Sequence, residues 1–324
     1  MFGELPKMFG KAFIIGYLLP AGLTIAATVL LLQALDYVQF GTILKSTFLD
    51  ADEKVGAVRV ALGVALIWVF GVILLAVNFQ LIRTLEGYGR FNPARLWKWY
   101  SLSLFDKTTR RLTELSQRAR VANLSPAEGS EQRALTRHLA EEFPERRELI
   151  LPTRFGNIIR AFERYPQVIY NIEPIRLWMR LQAVIPQDYR NLLDDAKAML
   201  DFYVNLWCGT ILVALSVLAA LVRACYCLVP SVSIAGSVFV IIVALIGATG
   251  AAKLAQSAAF GWGELVKGAF DLYRGELCKQ LGFEMPRSIE REREMWTPIC
   301  QAMLYRSPAV ARQFTIFRPL PDRD

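Results

Sequence analysis

Four long apolar runs dominate the pattern of hydrophobic and polar positions along the chain. They cover residues 12–35, 60–82, 202–222 and 232–252, and none of them contains Asp, Glu, Lys or Arg. A helix rises about 1.5 Å per residue, so about twenty residues span the roughly 30 Å hydrocarbon core of a bilayer. The pattern therefore predicts four membrane-spanning helices.

The order of the runs predicts two membrane hairpins. Residues 1–82 form the first hairpin and residues 201–252 the second, whereas residues 83–200 and 253–324 have the composition of water-exposed helices. No break separates Gln187 from Val222, which predicts one long third helix. The fourth run likewise continues without a break beyond residue 252. We expect an all-α polytopic membrane protein with a helical cytosolic domain.

Prolines and small polar residues predict where the helices outside the membrane begin and end. Thr153 is a candidate N-cap for an amphipathic helix that Pro166 is expected to end. Residues 124–130 have the composition of a turn or loop, and Pro298 predicts a break in the last helix. Within the first span, Pro20 is expected to produce a kink.

The residues after the second span combine aromatic and basic side chains. Asn92 followed by Pro93 is a helix start signal, and Trp97, Trp99 and Tyr100 follow it beside basic residues. This composition suits a helix that lies along the lipid headgroups, and it equally suits aromatic residues in the core of a soluble domain. The pattern leaves both interpretations open.

The distribution of Lys and Arg predicts the orientation in the membrane. Residues 83–112 contain seven and residues 253–324 contain eleven, against three in the link 36–59 and one in the link 223–231. Because Lys and Arg accumulate on the cytoplasmic side, both termini are expected to be cytoplasmic. The net charge of +8 largely expresses this bias, so we expect no nucleic-acid partner.

The sequence has few features of an enzyme. It contains one histidine, His138, and five cysteines with no C-x-x-C pair, and it lacks phosphate-binding glycine loops and hydrolase motifs. We expect no catalytic activity, no cofactor and no metal site.

The fourth span carries small and hydroxyl side chains at helical spacing. Such residues allow close helix packing, and in an oligomer they can also line a pore. The candidate pore-lining or helix-packing residues are Ser233, Ser237, Ala244, Ala248, Thr249 and Ala251.

Five arginines between the two hairpins form a second candidate site. They are suited to contact an anion or a lipid headgroup, although a solvated and partly ion-paired surface explains them as well. They are Arg154, Arg160, Arg164, Arg176 and Arg180.

Two stretches beside the second hairpin are distinctive as a pair. They are LPTRFGNIIRAFERYPQVIYNIEPIRLWMRL and FGWGELVKGAFDLYRGELCKQLGFEMPRSIEREREMW. Together they resemble a family of bacterial four-span membrane proteins with no assigned function, over roughly residues 150–297. The resemblance implies a bacterial inner-membrane location but no activity. In outline the chain also resembles bestrophin-type anion channels, without any bestrophin motif.

Two functions fit these observations. One is a homo-oligomeric ion channel or pore lined by the fourth span. The other is a membrane-anchored scaffold that recruits a cytosolic protein partner through its helical domain. Both place the chain in the lipid bilayer.

Overall fold

The computed structural model describes residues 10–35, 37, 53–226, 233–305 and 316–318. The side chains of residues 53–56, 59 and 305 are not part of this description. Most of the predicted link 36–59, with Lys45, therefore lies outside the described residues, as do most of the link between the third and fourth spans and most of the tail after residue 305.

Nine helices longer than ten residues occur in the described part of the chain, and no strand occurs there. Their bounds are α1 Lys11–Ala34, α2 Glu53–Leu85, α3 Lys98–Val121, α4 Pro126–Glu142, α5 Arg154–Tyr170, α6 Pro174–Val184, α7 Gln187–Tyr226, α8 Ile234–Gln280 and α9 Ile289–Tyr305. Short 3₁₀ turns occupy Pro93–Trp97 and Arg147–Leu149.

Four of these helices are long and apolar enough to cross a membrane, namely α1, α2, α7 and α8. The predictions of an all-helical chain and of four candidate spans are therefore confirmed. Helix α7, the third candidate span, runs without interruption from Gln187 to Tyr226. Helix α8, the fourth candidate span, continues past its apolar run to Gln280.

The chain divides into two compact units. The membrane unit contains residues 1–85 and 195–258, and the helical unit contains residues 86–194 and 259–324. Helices α7 and α8 each contribute residues to both units. Phe13, Tyr17 and Ala21 of α1 form a buried apolar cluster with Leu74 of α2.

Pro20 is accommodated by a π-helical turn at Ile14–Leu18 within α1. Proline has no N–H, so the carbonyl four residues earlier loses its usual helical donor. In a membrane helix, neighbouring side chains and π-helical adjustments commonly satisfy such carbonyls. Both occur around Pro20, namely the π-helical turn and a neighbouring side chain of α7 that is described with the candidate site.

The two helix breaks expected at prolines outside the membrane are wrong. Helix α5 continues through Pro166 to Tyr170 because Phe162, Pro166 and Tyr170 all lie on its buried face. The next residue, Asn171, has the left-handed conformation. Helix α9 likewise continues through Pro298, which is buried.

The loop expected at residues 124–130 is wrong from Pro126 onward, where α4 begins. The Ser125 hydroxyl oxygen accepts from the Glu128 N–H, and the Glu128 carboxylate accepts from the Ser125 N–H. This reciprocal pair is a capping box, and Pro126 occupies the first helical position, where a missing N–H has no cost.

The helical unit is held together by buried aromatic residues and by charged hydrogen bonds. Trp296 and Phe270 are fully buried. The Arg293 guanidinium donates to the carbonyls of Val168 and Ile169, the last carbonyls of α5 that would otherwise lack a donor.

Candidate functional site

The membrane unit contains a polar face on α7 that packs closely against α1. Asp201, Asn205 and Gly209 follow one another at intervals of four residues, which places them on one side of the helix. The approach is close at both ends of this face. A Cβ atom on Gly16 would lie 3.3 Å from the Asp201 Cβ, and one on Gly209 would overlap Thr24 Oγ1.

Asp201 is a buried carboxylate that receives hydrogen bonds from three helices. It is 5% exposed. The Tyr17 hydroxyl of α1 donates to Oδ2 at 2.7 Å, and Asn78 Nδ2 of α2 donates to Oδ1 at 2.9 Å. The Lys197 ammonium, one turn earlier on α7, forms an ion pair with the same carboxylate. These donors offset the several kcal/mol that burial of an isolated charge costs.

Asn205 extends the polar cluster by one turn of α7. Its Nδ2 donates to the Gly16 carbonyl at 2.8 Å, and Gly16 is the residue four positions before Pro20. The amide of Asn205 therefore supplies a donor to the carbonyl that Pro20 cannot serve. This contact explains how a fully buried asparagine is held inside an apolar helix pair.

Two buried oxygens of the cluster have surplus acceptor capacity. Within the described part of the chain, nothing donates to Asn78 Oδ1 or to Asn205 Oδ1. Buried polar atoms are nearly always hydrogen-bonded in folded proteins. The polar cluster, defined as Tyr17, Asn78, Lys197, Asp201 and Asn205, thus presents one carboxylate and two free amide oxygens opposite a single ammonium group.

The sequence contains a signal for this cluster that our interpretation missed. Asp201 lies one residue before the third apolar run and is therefore not one of the residues of that run. Lys197, Asp201 and Asn205 recur every four residues, which marks a polar face on an otherwise apolar helix. The partners Tyr17 and Asn78 are too distant in sequence to be inferred.

The fourth-span candidates divide between the inside and the outside of the membrane unit. Ser237, Ala248 and Ala251 are buried, whereas Ser233 and Thr249 are exposed and Ala244 is half-buried. Burial continues along α8 at Ala255 and Ala259. The buried alanines therefore pack within the chain, as small residues in membrane helices do.

The hydroxyls of the fourth span are engaged locally. Ser237 donates to the Ser233 carbonyl at 2.9 Å, and its oxygen lies 2.7 Å from the Tyr37 hydroxyl. Thr249 Oγ1 donates to the Ile246 carbonyl at 2.7 Å. Of the three hydroxyl candidates, Ser233 and Thr249 are exposed and Ser237 is buried.

Three of the five candidate arginines are engaged in the helical unit. Arg154 forms a bidentate pair with Glu142, through Nε at 2.7 Å and Nη2 at 2.5 Å. Arg164 donates to Glu145 through Nε at 3.0 Å and Nη2 at 2.6 Å. Arg160 donates to the Tyr88 hydroxyl.

The remaining two arginines lie exposed on α6. Within the described residues Arg176 and Arg180 form no ion pair, and Arg180 Nη1 donates to the Arg176 carbonyl at 2.8 Å. The five arginines therefore do not converge on one anion site. Three of them hold the helical unit together, and the other two form a small basic surface.

The helical unit also contains an open groove of about 750 Å³ between α3 and α4. Its walls carry charges of both signs, including the pair Arg111–Glu131 and the pair Arg147–Asp106. The hydrogen bonds from Arg147 hold the pKa of Asp106 below its usual value.

Comparison of the chain with protein-family models, with curated proteins and with solved structures finds no match.

Proposed function

We propose that the protein moves small cations or protons across the membrane, with Asp201 as the group that binds them. The observation that supports this proposal is the burial of Asp201 among three candidate spans, next to two buried amide oxygens without donors. Ionisable groups at such positions are costly, and in membrane proteins they commonly mark ion or proton pathways.

The sign of the transported ion follows from the composition of the polar cluster. One carboxylate and two free amide oxygens face one ammonium, that of Lys197. Oxygen acceptors bind hard monovalent cations and proton donors, whereas anions are bound by N–H and O–H donors. A single carboxylate, already paired with Lys197, carries too little charge to favour a divalent ion.

The proposal includes a homo-oligomer, as in the channel interpretation of the sequence. The outward face of α8 is strongly apolar and suits lipid or a second copy of α8. Its exposed residues include Val238, Phe239, Ile242, Val243, Leu245 and Ile246. A pore along an oligomer axis would have Ser233 and Thr249 as its hydroxyl-bearing residues, and the ion-binding group within each protomer would be Asp201.

The experiment is an ion-flux assay on the purified full-length chain in liposomes. A K⁺, Na⁺ or proton gradient is applied, and flux is compared with protein-free liposomes and with liposomes that contain heat-unfolded protein. Mass measurement of the same sample in nanodiscs gives the number of copies. Flux of at least one monovalent cation or of protons supports the proposal, and its absence from folded protein contradicts it.

We also propose that the chain lies in the bacterial inner membrane with the helical unit and both termini in the cytoplasm. The excess of Lys and Arg in residues 83–112 and 253–324 supports this orientation. A reporter enzyme fused after Asp52 is expected to be active outside the cytoplasm, and one fused after Ala127 inside it. The reverse pattern would overturn the orientation.

A membrane-anchored scaffold is the second candidate function, and the groove between α3 and α4 favours it. The groove combines exposed charges of both signs with aromatic and aliphatic walls, as protein-binding surfaces do. A cytosolic protein that co-purifies with the wild type would be lost from a Lys107→Glu/Arg110→Glu variant. The matched control is Arg176→Glu/Arg180→Glu, which changes the same charge on α6 and is expected to retain the partner.

A further inference from the structure

The helical unit displays an ordered aromatic surface on residues 90–100, which we call the aromatic segment. Its large apolar side chains face outward, and Phe91 is 92% and Trp99 68% exposed. Leu96, Trp97 and Tyr100 are also more than half exposed. Ordinary core aromatics would be buried, so the structure removes one of the two interpretations that the sequence left open.

The aromatic segment is held in place by specific contacts. Asn92 Oδ1 accepts from the Ala94 N–H at 2.9 Å and caps the 3₁₀ turn, while its Nδ2 donates to the Tyr88 carbonyl at 2.9 Å. Immediately after the segment, the buried Ser101 donates to the Pro152 carbonyl at 3.0 Å. The outward position of the aromatic rings is therefore part of the fold of the helical unit.

The charge of the aromatic segment has one sign. Arg90, Arg95 and Lys98 are exposed, and no Asp or Glu occurs between residues 87 and 105. Exposed Trp and Tyr rings beside basic residues match the headgroup layer of a bilayer, where the rings bury their apolar part and the cations meet phosphate. Two copies of this surface would bring like charges together, which disfavours a self-association face.

The position of the segment in the chain supports the same partner. The candidate span α2 ends at Leu85, and the 3₁₀ turn begins at Pro93. Only residues 86–89 separate Leu85 from the aromatic segment. The segment therefore follows a candidate span directly in the chain, where Trp and Tyr of membrane proteins are enriched.

We propose that the aromatic segment binds the surface of a bilayer that contains anionic lipids. This inference is independent of ion transport, because it concerns the helical unit and not the polar cluster. The segment would lie in the headgroup layer, with Trp97 and Trp99 at the boundary with the acyl chains and Arg95 and Lys98 against lipid phosphates.

The test uses tryptophan fluorescence of the full-length chain in nanodiscs. The signal of Trp97 and Trp99 is the difference between the wild type and a Trp97→Phe/Trp99→Phe variant, which is expected to keep the fold because both side chains are exposed. Discs are made with ordinary or acyl-brominated lipids, with and without phosphatidylglycerol. The difference signal is expected to lose most of its intensity in brominated discs and to resist quenching by acrylamide in water.

Two further variants test the role of charge. Arg95→Gln/Lys98→Gln is expected to reduce the additional quenching that anionic brominated lipid causes, whereas Arg176→Gln/Arg180→Gln, on exposed α6, is expected to leave it unchanged. A difference signal that acrylamide quenches freely would show that the segment faces water and would overturn the proposal. Protection from both quenchers would also overturn it, because it would indicate a protein contact such as a second copy.

Discussion

The side-chain amide of Asn205 donates a hydrogen bond to the backbone carbonyl of Gly16, with an Nδ2–O distance of 2.8 Å. The two residues are 189 positions apart in the chain. Their contact pairs an asparagine on α7 with the one carbonyl on α1 that Pro20 leaves without its usual donor. The proline and the asparagine are therefore linked across two candidate spans.

This link predicts a dependence of Asn205 on Pro20. In the wild type, Asn205→Leu is expected to lower the free energy of unfolding by about 1–2 kcal/mol, because it removes a buried hydrogen bond. In a Pro20→Ala background the cost is expected to be clearly smaller, because the alanine supplies the missing backbone N–H. Thermal unfolding in detergent of the four proteins of this double-mutant cycle measures the coupling. Equal costs in both backgrounds would contradict the pairing.

The close approach of α1 and α7 predicts intolerance of any side chain at Gly209. A Cβ atom there would overlap Thr24 Oγ1, so Gly209→Ala is expected to destabilise the fold by about 1–3 kcal/mol. Thr24→Ala should recover part of this loss, because it removes the oxygen that the new methyl group meets. Unfolding in detergent checks both variants.

The control for this prediction is a glycine in open space on α8. A Cβ atom on Gly250 would have no atom within 4 Å, so Gly250→Ala is expected to be neutral or slightly stabilising. If Gly209→Ala were equally well tolerated, the close packing of α1 on α7 would be wrong.

Arg293 caps the end of α5, so its replacement is expected to lower stability by more than the loss of its charge alone would. Arg293→Gln is expected to cost about 1–2 kcal/mol, because the Val168 and Ile169 carbonyls lose a charged donor. Arg291→Gln removes the same charge two residues earlier, from an exposed side chain, and is expected to cost less than about 0.5 kcal/mol. Similar losses for both variants would argue against the cap.

The ion pair of Arg164 with Glu145 predicts a dependence of stability on pH. Burial alone would raise the pKa of Glu145, but the hydrogen bonds from Arg164 hold that pKa below its usual value of 4.5. Because the pKa is lower in the folded state, the contribution of the pair is complete above pH 4.5 and is lost as the pH falls below it.

The measurement compares the free energy of unfolding of Glu145→Gln with that of the wild type from neutral pH to acid. The variant is expected to be less stable by about 1 kcal/mol near neutral pH, and the difference should vanish in acid. Glu148→Gln, which changes a nearby exposed carboxylate, is expected to leave stability unchanged at every pH. A constant difference between Glu145→Gln and the wild type would contradict the role of the ion pair.

The features that could be predicted from the sequence are those that depend on neighbouring residues. The four apolar runs predict the candidate spans because length and apolar composition suffice. The capping box of Ser125 and Glu128 lies within one turn and could have been predicted in the same way, but we expected a loop there. The helix breaks predicted at Pro166 and Pro298 are wrong because burial of these helix faces outweighs the local preference of proline to end a helix.

The candidate site could be predicted only in part, from the polar face of α7, because the rest of it depends on contacts between distant segments. Asp201 lies at the edge of an apolar run, and only the packing of α1 and α2 buries it. For the arginines the sequence left open an anion site and a partly ion-paired surface. Arg154 and Arg164 pair with Glu142 and Glu145 from the chain just before α5, as in the second interpretation.

The measurement that tests the account most directly is cation and proton flux in liposomes that contain Asp201→Asn. This variant removes the buried charge with almost no change of volume. Asp195→Asn is the control, because Asp195 lies on the same helix and pairs with Lys11, but is about half exposed. The account predicts that Asp201→Asn loses most of the wild-type flux while Asp195→Asn retains it. Wild-type flux in a folded Asp201→Asn protein would contradict the account.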